Sequence, residues 1–308
     1  MNKWQILVSD PIAPVGLEQL AAHAHVIQDP PDKHLGEFDA LIVRSGTRVT
    51  AELLQASAPR LKVIGRAGVG VDNIDLESAR ELGVRVVNAP QATSTAVAEH
   101  TLALMLSLAR HIPEATMRMR AGEWPKKELA GGELMGKTLG IIGLGRIGTE
   151  VARRASAFEM RVISYDPFLD EEDQARRGAQ AFALDALLAQ ADYVTLHLPL
   201  TEDTSSLIDR TALQAMKPEA RIISTARGGL IDEEALLETL QSGQLAGAAL
   251  DVFTTEPPRD TELINHPNVI TTPHIAGQTV EAQRRVALDI AKEVLAALEG
   301  KPLRWAIL

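Results

Sequence analysis

The segment Gly143-Leu144-Gly145-Arg146-Ile147-Gly148 restricts what this chain can become more than any other. Three glycines in six residues say little alone, because such triplets arise by chance in loops. Here the apolar run Leu139–Ile142 leads straight into them, and helix-like periodicity begins at Ile147. A second strand-like run, Arg161–Tyr165, is followed by Asp166, 18 residues beyond Gly148. Each part of this order has a physical reading. The first glycine permits a tight turn, and the second lets backbone approach a pyrophosphate. The third brings helix close to strand, so that N–H groups at the helix start face the anion.

This order is that of a Rossmann dinucleotide-binding unit. Gly143, Gly145, Arg146, Ile147 and Gly148 are its expected pyrophosphate side. Asp166 can accept hydrogen bonds from both hydroxyls of an adenosine ribose, and its charge opposes a 2′-phosphate, so NAD is expected rather than NADP. The bland alternative is an Asp166 that merely caps a strand.

Short apolar runs alternate with helical segments almost from end to end, the pattern of parallel α/β sheets. At 308 residues the chain suits two domains. Expected strands of the first part are Gln5–Val8, Leu41–Val43, Lys62–Ile64 and Arg85–Val87, with helices over Val15–His23, Ala51–Ser57 and Leu76–Leu82. Ala96–Ala109 is apolar on most faces and reads as a buried helix. A loop carrying Pro113, Gly122, Trp124, Pro125 and Gly131-Gly132 is expected to lead into the second part. There the strands are Leu139–Ile142, Arg161–Tyr165, Tyr193–His197, Arg221–Ser224, Ala248–Asp251 and Val269–Thr271, and the helices Ile147–Phe158, Leu184–Ala189, Glu233–Gln241 and Val280–Leu298.

Composition removes several classes of function. With 31 basic against 41 acidic residues the formal charge is −10, and no basic cluster exceeds a few residues. That argues against nucleic acid or an anionic membrane as partner and leaves room for a small anionic substrate in a locally basic pocket. There are no cysteines, so disulfides, thiolate catalysis and Cys-based metal sites are excluded. No metal site is expected. The N-terminal run lacks the apolar core of a signal peptide, and the cytoplasm is the expected location.

Three clusters follow strands of the second part, where open α/β sheets bind ligands. They are Thr225-Ala226-Arg227-Gly228-Gly229, the run from Asp251 to Glu256-Pro257-Pro258, and Thr272-Pro273-His274-Ile275-Ala276-Gly277. Oxidation of a 2-hydroxy acid by hydride transfer needs a base for the hydroxyl proton, and histidine is suited to that task. A carboxylate on the other ring nitrogen fixes the tautomer, and an arginine fork binds the substrate carboxylate. His274, Glu256 and Arg227 supply that set, with His274 and Arg227 also touching substrate. Ala226, Asp251 and Gly277 are expected beside the cofactor. His197 ends a strand, where it lines the cleft or packs in the core. His100 is ambiguous, and His23, His25, His34, His111 and His266 read as surface residues.

The runs Leu139–Gly148, Thr225–Glu233, Gly247–Pro258 and Pro273–Ala282 closely resemble the D-isomer-specific 2-hydroxyacid dehydrogenases, over essentially the whole chain. The resemblance implies two doubly wound parallel-sheet α/β domains. A flavodoxin-like, discontinuous substrate domain spans 1–97 and 283–308, and a Rossmann NAD domain spans 98–282. It also implies a homodimer. Leu41–Thr50 and Val63–Asp75 resemble the loops of members acting on a phosphorylated acid, with Arg44 and Arg66 at the phosphate positions; the alternative is that these two make structural ion pairs. Reduction of glyoxylate or hydroxypyruvate, and an NAD-sensing role without catalysis, are the competing readings. Two departures stand out. Gln278 replaces a small residue, and the sequence stops at Leu308 without further regulatory domains, so no serine feedback through such domains is expected.

Overall fold

The computed structural model describes residues 4–29, 35–258 and 262–308. The chain divides into two units, Met1–Ser94 with Gly277–Leu308, and Thr95–Ala276.

Along the first stretch run β1 (Trp4–Val8), α1 (Pro14–Ala21), β2 (Ala24–Gln28), a 3-10 turn (Leu35–Glu37), β3 (Ala40–Val43), α2 (Ala51–Ser57), β4 (Val63–Arg66), α3 (Leu76–Glu81) and β5 (Arg85–Asn88). The five strands are parallel in the order β2-β1-β3-β4-β5. Parallel strands need crossovers, and the crossover helices cover both faces of the sheet. On one face Leu54 of α2 and Ala79 of α3 pack with Leu41, Val43 and Ile64. On the other, Leu20 of α1 packs with Ile6, Ile42 and Val63, together with Val286, Ile290 and Val294 from a helix of the C-terminal segment. Such doubly covered strands read as near-continuous apolar runs, which is why they were legible in the sequence.

The second unit takes α4 (Ser94–Ala109) from Thr95 onward, then α5 (Ile112–Arg120), β6 (Thr138–Ile142), α6 (Arg146–Ala157), β7 (Arg161–Tyr165), α7 (Glu171–Arg176), β8 (Gln180–Ala181), α8 (Leu184–Gln190) and β9 (Tyr193–Leu196). After these come α9 (Arg210–Ala215), β10 (Arg221–Ser224), α10 (Glu233–Gln241), β11 (Gly247–Leu250), α11 (Glu262–Asn265) and β12 (Val269–Thr271). The seven parallel strands lie in the order β12-β11-β10-β9-β6-β7-β8. The order reverses direction between β6 and β9, and open α/β sheets bind ligands at the C-terminal ends of the strands beside such a switch. The glycine turn leaves β6 at that point.

The helix α12 (Val280–Leu298) returns to the first unit. It approaches α1 so closely that a Cβ on Gly16 would lie 2.8 Å from that of Ala287. Beyond it, Glu293, 4% exposed, accepts the backbone N–H groups of Arg304 and Trp305. This sets the C-terminal segment beside β5, where Ala306 bridges Val87 antiparallel.

Three expectations need correction. The residues after Arg110 are not all loop: α5 forms there, because Pro113 stands in its first turn, where a missing N–H costs nothing. The strands β2 and β8 were not anticipated; β2 is a half-exposed edge strand of mixed polarity, and β8 has two residues. Of the histidines read as surface, His23 and His25 are exposed, whereas His111 and His266 are half-buried; His34 lies outside the described residues. Among the described residues no helix is long and apolar enough to cross a membrane, and no cluster of three metal-ligating side chains occurs.

Candidate active site

The glycine turn is held at its tip through both backbone groups of one residue, Leu144. Asp166, directly after β7, accepts the Leu144 N–H at 2.9 Å, and Arg177 donates to the Leu144 carbonyl at 2.8 Å. Gly143 has φ +89, and a Cβ there would lie 2.6 Å from the His197 carbonyl oxygen. A Cβ on Gly148 would lie 2.2 Å from the Gly143 oxygen. Gly145 differs, since a Cβ on it would meet no atom within 4 Å. Two of the glycines therefore serve the fold, whereas the third keeps space clear in front of the first turn of α6. No side chain caps that helix, so its leading N–H groups, from Arg146 and Ile147 onward, stay available for an anion. These residues fit a dinucleotide pyrophosphate. The other Asp166 oxygen accepts the Phe168 N–H at 3.0 Å, so each carboxylate oxygen keeps a further lone pair.

His197, just past β9, sits beside this turn with Nε2 3.1 Å from Thr195 Oγ1 and with Nδ1 buried. Burial pushes its pKa down to about 3, so the ring is neutral.

His274 and Glu256 meet directly, Nδ1 to Oε2, at 2.8 Å. A carboxylate only accepts, so Nδ1 carries the proton and Nε2, at the other end of the ring, is left basic. Glu256 is fixed in turn by the Phe253 N–H, which donates to Oε1 at 3.2 Å. Both side chains remain substantially open, at 49% and 38% exposure, as groups that handle a substrate must.

His274 has φ +52, a left-handed conformation that costs a residue with a Cβ about 1–2 kcal/mol. Asp251 over-determines it. Its carbonyl accepts the His274 N–H at 2.8 Å. Its carboxylate takes Thr272 Oγ1 at 2.5 Å, Ile275 N–H at 2.8 Å and Ala276 N–H at 2.9 Å. Asp251 thus grips the turn on both sides of His274, with its own side chain wholly buried. His100 completes the cluster, 3.1 Å from Thr272 Oγ1 and 3.6 Å from Asp251 Oδ1.

Arg227 follows β10 on a loop whose Thr225 hydroxyl bonds Thr101 of α4 at 3.0 Å; Ala226 beside it is 9% exposed. Arg227 Nη1 donates to the Ala226 carbonyl at 2.6 Å. The next residue, Gly228, touches the main chain of Phe253, so the Arg227 loop and the Glu256 loop meet backbone to backbone. The turn-holding parts played by Asp251, Thr272, His100 and Arg177 escaped the sequence reading.

Gly277, Arg44 and Arg66 belong to the first unit. Val43 pairs with Arg66 across β3 and β4, so the two arginines sit at adjacent strand ends. A Cβ on Gly68 would fall 1.4 Å from Arg66 Nη1; the guanidinium occupies its place because residue 68 has no side chain.

The sequence profile of "D-isomer specific 2-hydroxyacid dehydrogenase, NAD binding domain" matches residues 102–276. With that match covering more than half its length, the chain belongs to the D-isomer-specific 2-hydroxyacid dehydrogenase family. It is 46% identical to the D-3-phosphoglycerate dehydrogenase of Bacillus subtilis, covering 99% of this chain and 59% of that protein. It therefore spans about three fifths of that relative's length. Among solved structures it resembles a glyoxylate reductase from Paecilomyes thermophila, with TM-score 0.90, 33% identity and coverage of 100% and 99%. It also resembles an acyclic imino acid reductase solved with NADPH and D-Arg, with TM-score 0.88, 30% identity and coverage of 99% and 100%. A nicotinamide dinucleotide is the cofactor of this family's NAD-binding domain.

Proposed function

We propose that the chain catalyses the NAD-dependent oxidation of 3-phospho-D-glycerate to 3-phosphooxypyruvate, the entry step of serine synthesis. The observation that carries the chemistry is the His274–Glu256 contact, open to substrate on the sheet edge that also bears the glycine turn. The substrate rests on the likeness to D-3-phosphoglycerate dehydrogenases and on the neighbouring pair Arg44 and Arg66.

NAD, when bound, supplies the hydride acceptor. His274 Nε2 takes the proton of the substrate hydroxyl, and the Glu256 carboxylate stabilises the imidazolium that results. Arg227 binds the substrate carboxylate and, in the reverse direction, polarises the carbonyl. Arg44 and Arg66 hold the phosphate. Gly145, Arg146 and Ile147 receive the pyrophosphate, with Gly143 and Gly148 shaping the turn. Asp166 takes the adenosine ribose and disfavours a 2′-phosphate. His197, Ala226 and Gly277 line the nicotinamide side, and Asp251 acts there chiefly by holding the His274 turn. In this reading the unit of Thr95–Ala276 is the cofactor domain and the other unit the substrate domain; the protein works in the cytoplasm as a homodimer.

A second reading, reduction of glyoxylate or hydroxypyruvate, is favoured by the likeness to the glyoxylate reductase from Paecilomyes thermophila. It uses the same His274, Glu256 and Arg227 and leaves Arg44 and Arg66 without an anion. A panel of 3-phosphoglycerate, glycerate, lactate, hydroxypyruvate and glyoxylate, each with NAD(H) and NADP(H), separates the two. Preference for the phosphorylated acid with NAD is expected. Equal use of phosphorylated and unphosphorylated acids would remove the phosphate assignment and favour the reductase.

A further inference from the structure

Gln278, singled out in the sequence, is tied to Arg44. Its Oε1 accepts from Arg44 Nη2 at 3.1 Å. Both residues are held by their surroundings within the first unit. The Arg44 N–H donates to Asp10 Oδ2 at 2.5 Å, and its carbonyl accepts from Asn73 Nδ2 at 2.7 Å. The same two side chains grip Thr47, so the loop after β3 is fixed at both ends. Arg44 Nη1 reaches the Pro11 carbonyl at 3.4 Å. Gln278 stands just before Thr279, whose hydroxyl caps α12 by accepting the Ala282 N–H at 3.1 Å. On its other side the Gly277 carbonyl accepts from Gln283 Nε2 at 2.9 Å.

The chemistry of the contact fixes the amide's direction. A guanidinium has five N–H donors and no acceptor, so the Gln278 oxygen must face it and the NH2 group must face away. The two contacts orient the Arg44 fork and leave it further N–H groups. Gln278 then adds an amide donor pair beside a fixed cation. A small residue at 278 would be too short to make this contact and would carry no amide.

We propose that Gln278 is a specificity-determining residue: it positions the Arg44 guanidinium and, with it, forms the subsite for the distal oxyanion of the substrate, selecting a phosphate monoester over a hydroxyl. This rests on the reading of Arg44 as a phosphate ligand. The amide donates to a phosphate oxygen, while the guanidinium supplies charge and a planar fork.

Steady-state kinetics of the protein with NAD, using 3-phosphoglycerate and glycerate as alternative substrates, test it in Gln278→Met, Gln278→Glu and Arg44→Ala. Methionine keeps the length and removes both polar contacts; glutamate keeps the acceptor, loses the donor and sets a negative charge against the phosphate. Gln278→Met is expected to raise KM for 3-phosphoglycerate roughly tenfold to a hundredfold, the scale of one hydrogen bond to an ion, and to affect kcat and the KM for glycerate far less. Gln278→Glu should raise KM for 3-phosphoglycerate further, and Arg44→Ala should raise it at least as much as Gln278→Met. If Arg44→Ala raises KM and both Gln278 variants stay near wild type, the Gln278 proposal is overturned and the Arg44 reading stands. If Gln278→Met raises both KM values alike, Gln278 has only a structural role and the proposal fails. If Arg44→Ala leaves KM unchanged, the phosphate reading fails and this proposal falls with it.

Discussion

A Cβ placed on Gly228 would lie 1.9 Å from the carbonyl oxygen of Phe253. The loop that carries Arg227 and the loop that carries Glu256 are thus registered by main-chain contact that no side chain can share. Gly228→Ala must push the two apart, since backbone cannot yield as a flexible side chain does. A drop in stability of about 1–3 kcal/mol is expected, as for other overpacked sites, with a fall in kcat/KM beyond what unfolding explains. Thermal unfolding and kinetics on the folded fraction measure both; a variant with unaltered activity would show that the registration is irrelevant to catalysis.

Gly145 and Gly148 differ in what they protect. A Cβ on Gly145 meets nothing, whereas one on Gly148 meets the Gly143 carbonyl. Gly145→Ala should therefore fold with a loss of no more than about 1 kcal/mol, the cost of alanine at a helix N-cap, yet bind NADH at least about tenfold more weakly. Gly148→Ala should lose stability first. Titration of NADH fluorescence beside urea unfolding separates the two effects, and a Gly145→Ala protein with wild-type NADH affinity would contradict the assignment.

His197 links the cofactor turn to stability against acid. An unfolded histidine takes up a proton near pH 6.5, whereas burial holds this one neutral until about pH 3. Its contribution is complete above pH 6.5 and is lost progressively as pH falls towards 3, by up to roughly 1.4 kcal/mol per pH unit. His197→Gln has no proton to gain, so its urea midpoint should fall less between pH 7 and pH 5 than that of the wild type. Parallel decreases in the two proteins would remove His197 as the cause.

Much of the fold was legible because parallel strands covered on both faces are continuous apolar runs. Arg161–Tyr165, Arg221–Ser224 and Val269–Thr271 form strands with the expected bounds, as Glu233–Gln241 and Val280–Leu298 form helices. The short helices α7, α9 and α11 and the two-residue β8 were too brief to show a period, β2 is a partly exposed sheet edge, and the proline of α5 marks a helix start rather than a loop. In the site, residue types at strand ends singled out His274, Glu256 and Arg227. What holds the His274 turn was invisible locally, because Asp251 bonds residues 24 positions away; the partner of Gln278 was equally invisible, being an arginine 234 positions distant. Such contacts exist only once the chain has folded.

The Glu256 charge should matter separately from its shape. Glu256→Gln can still accept a hydrogen bond from His274 Nδ1 but offers no charge to the imidazolium. Turnover is expected to fall about tenfold to a hundredfold, less than on losing the base itself. Unchanged kcat would reduce Glu256 to a structural neighbour.

The most direct test of the central claim is NADH formation from 3-phospho-D-glycerate and NAD by the wild-type protein and by His274→Asn. Asparagine tolerates the left-handed backbone of residue 274, so the turn should persist without its base. Substrate-dependent NADH formation is expected of the wild type, and retained NADH binding with turnover lower by about a hundredfold or more is expected of the variant. Near-wild-type turnover in His274→Asn, or no NADH from this acid with the wild-type protein, would contradict it.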